Sequence, residues 1–151
     1  MQRLIAFTII LFLAGQSAWA NHTAMIGGMR DGLAMGLEIE EHLSDNLMYR
    51  FGLEASTGED ISFTADNPFV LTGGGRFRLG KLGFSPMWGG VGVVGNFGNN
   101  TEIGVALSLI FEKIYNQDPL FLETGLDWFT DPGHGHVQIQ VGYRFIEAGP
   151  I

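Results

Sequence analysis

Cysteine is absent from all 151 residues, so disulfide staples, thiolate metal sites such as zinc ribbons and dithiol redox chemistry are excluded. Basic residues are scarce: 8 Lys and Arg stand against 16 Asp and Glu, a net charge of −8 with neutral histidines. That balance excludes nucleic acid as a partner, because phosphate recognition needs a basic surface. Long apolar runs are missing beyond the N-terminal leader, where nothing approaches the roughly 20 consecutive apolar residues of a membrane helix.

What the N-terminus does hold is an export signal. Arg3 precedes an apolar run from Leu4 to Ala14, and the stretch closes on Ala18-Trp19-Ala20. The run is too short to span a bilayer as a helix, and the small residues at 18 and 20 suit signal peptidase. Residues 1–20 therefore read as a signal peptide cleaved after Ala20, and 21–151 as one domain. Losing Arg3 leaves seven basic residues against sixteen acidic ones.

From Leu33 onward the chain alternates with period two. Leu33, Met35, Leu37, Ile39 and Leu43 share one face, with Glu41 the exception, while Ala34, Gly36, Glu38, Glu40 and His42 share the other. After a turn at Ser44-Asp45-Asn46, Leu47, Tyr49, Phe51 and Leu53 oppose Arg50, Gly52, Glu54 and Ser56, which reads as a hairpin. The same grammar runs through 69–79, 87–97, 101–113, 120–129 and 136–145. An eighth strand fits Thr23 to Met29, joined to the next by the hairpin dipeptide Asp31-Gly32.

Within GGVGVVGNFGNN, at 89–100, Gly90, Gly92 and Gly95 match the G-x-G-x-x-G spacing of dinucleotide loops, and Glu112 lies near the distance of the acidic partner. The required helix is missing, because the glycines sit inside an alternating strand that turns at Phe97 to Asn100 into another strand. The match is a coincidence of a chain with 23 glycines.

Eight alternating strands fit a soluble sandwich, a lipocalin-like barrel or a membrane barrel. Strands of about ten residues, with short turns alternating with longer polar connections, favour the third. The expected fold is all-β: an antiparallel up-and-down transmembrane β-barrel of eight strands with its apolar face outward, in contact with outer-membrane lipids. With the N-terminus in the periplasm, the turns Ser44 to Asn46, Gly80 to Gly83 and Asn116 to Pro119 are periplasmic, and the connections 58–68 and 130–135 lie outside. Phe69, Phe97, Trp128 and Phe129 then form an outer aromatic girdle, and Phe77, Phe111, Tyr143 and Phe145 a periplasmic one.

Alternation also selects an interior set of charges: Glu38, Glu40, Arg50, Glu54, Arg76, Arg78, Glu102, Glu112, Glu123, Asp127 and Arg144. An eight-stranded barrel is only wide enough for side chains to fill, so these arginines are expected to neutralise neighbouring carboxylates and close the lumen.

The leader, the turn phrase HLSDNLMYRFGLE at 42–54 and the closing strand VQIQVGYRF together resemble the small eight-stranded outer-membrane barrels of the outer-membrane protein A and X type, over nearly all of the mature length. The resemblance implies a structural or surface-interaction role and insertion by the barrel assembly machinery, which in that family reads a terminal aromatic residue. Phe145 matches in kind, but Ile146 to Ile151 follow it, a departure from the pattern.

Some barrels of this size act on lipids, so nucleophiles matter. Ser44, Ser56, Ser62, Ser85 and Ser108 stand in no His-Ser pair and no G-x-S-x-G elbow. His134 and His136, with Asp131 nearby, have the spacing of a metal turn but lack a third defined ligand, and otherwise read as a polar Gly/Pro turn. Asn21-His22-Thr23 and Asn99-Asn100-Thr101 match the glycosylation acceptor only incidentally in a bacterial envelope. No catalytic site, cofactor or metal is expected. A structural or interaction barrel leads, with a periplasmic ligand-binding barrel and a lipid-active barrel enzyme as alternatives.

Overall fold

The computed structural model describes residues 22–30, 32–57, 68–130 and 133–145. The expected signal peptide and cleavage point, Ser62, Asp131, nearly all of the 58–68 connection and the tail 146–151 lie outside the described residues. Eight antiparallel strands follow one another in chain order: β1 (His22–Met29), β2 (Leu33–Ser44), β3 (Leu47–Ser56), β4 (Phe69–Leu82), β5 (Ser85–Phe97), β6 (Glu102–Glu112), β7 (Leu120–Phe129) and β8 (Gly135–Phe145). The sheet closes where β1 meets β8, from Thr23 opposite Phe145 to Met29 opposite Ile139, so no edge strand remains. The protein is an all-β, up-and-down barrel.

Closure sorts the two faces of every strand. Odd positions of β2, such as Met35 and Leu37, are exposed, whereas Glu38 and Glu40 are buried; β8 exposes Val137, Ile139 and Val141 and buries Gln138 and Gln140. The charged face is thus the interior one. Two apolar clusters occupy the interior with these polar side chains. Ala24, Ile26, Met48, Trp88, Ile110 and Phe121 form one, mostly toward the end that carries the β2–β3 and β4–β5 turns; Val70, Val94, Ala106 and Phe129 form the other, toward the opposite end.

Three details depart from the sequence expectation. The β4–β5 turn is not Gly80 to Gly83: β4 continues to Leu82, β5 starts at Ser85, and a register shift between Arg78 and Gly80 absorbs the break in alternation. Gly83, with φ +63, makes the tight reversal beside Phe84. The β6–β7 connection is wider than Asn116 to Pro119, because Lys113, Tyr115 and Asn116 all take left-handed conformations around a single 3-10 turn at Ile114–Asn116. Phe129 belongs to no outer girdle: it shares the inward parity of Glu123 and Asp127 and is 1% exposed, while its neighbour Trp128 points out.

Gly90, Gly92 and Gly95 lie within β5, and β6 follows without a helix. Their use is steric. Gly74 of β4 faces Gly92 of β5, and a Cβ on Gly74 would sit 2.4 Å from the Val91 carbonyl oxygen, with one on Gly92 2.5 Å from that of Gly73. Only glycine lets the two backbones approach this closely.

Candidate functional site: the charged lumen

Inward parity on β2, β3, β4 and β7, with Arg30 just after β1, brings a set of ionisable side chains to the barrel interior. Glu38, Glu40, Glu54, Glu123 and Asp127 are each at most 1% exposed, as are Arg30 and Arg76, and Arg50 is 6% exposed. Charges this deep are tolerated only when paired and hydrogen-bonded.

The pairing is continuous. Arg50 Nη1 donates to Glu38 Oε1 at 2.7 Å, and both its terminal nitrogens donate to Glu123. Arg76 donates to Glu40 and, through Nη2, to Glu123 Oε2 at 2.9 Å, with Glu38 Oε2 at 3.4 Å. Arg144 continues the line: its Nε reaches Glu40 Oε2 at 2.6 Å and its Nη1 reaches Glu112 Oε1 at 2.8 Å. The Arg144 guanidinium also lies 4.6 Å from the centre of the Phe121 ring, a cation–π contact. Signs alternate from Glu112 at the rim to Arg50 inside.

Arg50 on β3 and Glu123 on β7 come from strands on opposite sides of the eight-stranded ring, so their bidentate pair crosses the lumen. A second crossing lies nearer the other end. Arg30, just after β1, donates from Nε to Asp127 Oδ2 at 2.7 Å and from Nη1 to Glu54. Gln140 donates to Glu54, and Gln138 to Glu123 at 3.4 Å.

Of the residues selected from alternation, Glu38, Glu40, Arg50, Arg76, Glu123, Arg144 and Glu112 join the continuous line, and Glu54 and Asp127 join the Arg30 cluster. Arg78 is a correction. It is exposed, because the last β3–β4 pair is Leu47 with Phe77 and the bulge follows at once, leaving its side chain at the rim with no interior to enter. Glu102 is another: near the start of β6 it is half-buried at the opposite rim, its Oε2 3.9 Å from His134 Nε2. Sequence reasoning missed Arg30, which falls between the expected strand end at Met29 and the Asp31-Gly32 turn; carrying the inward parity forward from Ile26 by two steps of two would have found it.

Around Arg50 the wall thins. Gly74, Gly90, Gly92, Thr72 and Ser108 border a space for about one water molecule, and Thr72 Oγ1 lacks a hydrogen-bond partner there. His134 and His136 stand with ring centres 4.8 Å apart, and Phe129 stacks on His134. No group of three metal-ligating side chains converges among the described residues. Ser108 lies beside Gly90 with no histidine in the same cavity.

No family model, curated protein or solved structure matches the chain. The functional reading therefore rests on the sequence, the barrel and the division of its two faces.

Proposed function

We propose that the chain is an integral outer-membrane β-barrel of a Gram-negative envelope, with a structural or surface-interaction role and a lumen closed by its own side chains. One observation carries the reading: the barrel is inverted relative to a water-soluble one, with Glu123 0% exposed inside while Leu37, Val93, Leu107 and Val137 are 55, 58, 54 and 65% exposed outside. Similar residues are exposed on all eight strands, giving an apolar belt far larger than the few hundred Å² that soluble monomers leave in water. Hydrocarbon is the environment that makes this belt favourable, and a closed barrel is one of the two structures that can enter it. The N-terminal export signal supplies the route.

A periplasmic carrier would need an interior cavity for its ligand, whereas the Arg50–Glu123 pair and the Glu54–Arg30–Asp127 bridge cross this interior. The test is fractionation of cells expressing the full chain. The protein is expected in the outer-membrane fraction after a carbonate wash, with a mature N-terminus at Asn21. Release by carbonate, or recovery from the periplasm, would refute the reading.

A further inference from the structure

We propose that the β4–β5 ribbon binds anionic phospholipid headgroups of the periplasmic leaflet, an inference that rests on the outer-membrane reading. The ribbon projects past its neighbours: β3 pairing stops at Phe77 and β6 pairing stops at Met87, while Lys81 opposite Pro86 and Leu82 opposite Ser85 pair only with each other. Its tip is apolar and uncovered, with Leu79, Leu82 and Phe84 at 47, 65 and 64% exposure. A two-stranded ribbon has no second layer in which to bury them.

The same ribbon carries the free positive charge. Arg30, Arg50, Arg76 and Arg144 are spent on interior carboxylates, and Lys113 pairs with Asp118 at 2.7 Å. Arg78 and Lys81 are then the described cations without an ion-pair partner, and both are exposed. Arg144 holds Glu112 and Lys113 holds Asp118, while Glu41, which accepts from the neutral Tyr49 hydroxyl and keeps its charge, and Asp45 lie on the neighbouring β2–β3 hairpin; the β4–β5 ribbon itself, 69–97, holds no carboxylate. In sequence, the connections at the opposite end hold Asp31, Glu59, Asp60, Asp66 and Asp131 and no lysine. By composition, the connections at that end are therefore acidic and the β4–β5 ribbon is basic.

Two cations beside leucine and phenylalanine suit one surface: phosphodiesters pair with Arg78 and Lys81 while Leu82 and Phe84 enter the acyl boundary. An acidic protein or cell-wall polymer would answer the cations but leave the apolar tip in water. Each basic residue near an anionic membrane surface is worth about fivefold in affinity, so the pair is worth about 25-fold, less at high salt.

The chain has no cysteine, so Phe84→Cys, Leu82→Cys and Leu107→Cys each give a single site for an environment-sensitive fluorophore. The mature protein is folded into phosphatidylcholine vesicles containing brominated phosphatidylglycerol or brominated phosphatidylcholine, with folding checked by gel mobility with and without boiling. The label at 107, on the outer face of β6, should be quenched equally by both lipids. Labels at 84 and 82 should be quenched more by brominated phosphatidylglycerol, and Arg78→Ala with Lys81→Ala should erase that preference. Labels at 84 and 82 that stay unquenched while 107 is quenched would overturn the ribbon proposal and point to a protein or polymer partner. Equal quenching of 84 and 82 by the two lipids would overturn its anionic selectivity. If 107 also stays unquenched, the membrane reading itself fails.

Discussion

Removing Arg76 would leave the Glu40 carboxylate with Arg144 alone and the Glu38 and Glu123 carboxylates with Arg50 alone, all at most 1% exposed. Loss of one partner from a buried network costs about 3 to 5 kcal/mol, because the charge left behind can neither ionise cheaply nor reach water. Arg76→Ala should therefore unfold at markedly lower urea than wild type in detergent micelles. Two residues along, Arg78 is exposed and unpaired, so Arg78→Ala should shift the same midpoint by no more than about 0.5 kcal/mol. Equal shifts for the two variants would mean that Arg76 is not held as described. That two arginines of one parity differ so much was not legible in the sequence: the pattern assigns a face, whereas the last cross-strand pair decides how far the interior extends.

At the scale of the strand, β4 and β5 owe their close packing to facing glycines. Gly74→Ala would drive a Cβ to 2.4 Å from the Val91 carbonyl oxygen and 2.6 Å from the Gly92 Cα, backbone atoms that cannot move aside without opening the ladder. Gly75→Ala meets nothing within 4 Å and should be neutral or stabilising by about 0.4 to 1 kcal/mol. Unfolding midpoints of the two variants, measured side by side, check the contrast, and equal loss would refute the steric account. Strand existence and facing were written plainly in the alternation of β2, β3 and β8. The β4–β5 tip was not, because the bulge at Arg78/Gly80 breaks the period and Gly80-Lys81-Leu82-Gly83 has the composition of a turn. Phe129 was misassigned for a related reason: position at a strand end drew it into the girdle, although its parity with Glu123 and Asp127 pointed inward. The outer-membrane proposal also carries a topology, in which the N-terminus is periplasmic. In intact cells an impermeant thiol reagent should label Asp60→Cys and spare Asp45→Cys; the reverse pattern would invert the barrel.

For the whole molecule, the polar content of the described chain is divided by the sheet, and the division lets an acidic protein carry an apolar outer surface. Four arginines and six carboxylates face one another inside and at the rim, so this ionic chemistry is turned away from the apolar outer face. The interior membership of nine of these ten groups followed from parity alone. Their pairing did not, since Arg50 with Glu123 and Arg30 with Asp127 join residues 73 and 97 positions apart, and only closure of the eight-stranded ring brings them together. The physical consequence is a lumen obstructed at two levels by guanidinium–carboxylate crossings, with apolar clusters alongside. Planar-bilayer recording of the purified wild-type protein tests this most directly. The expected trace stays near the baseline, whereas large, steady open-channel conductance would show that the network does not fill the lumen and that the protein is a porin.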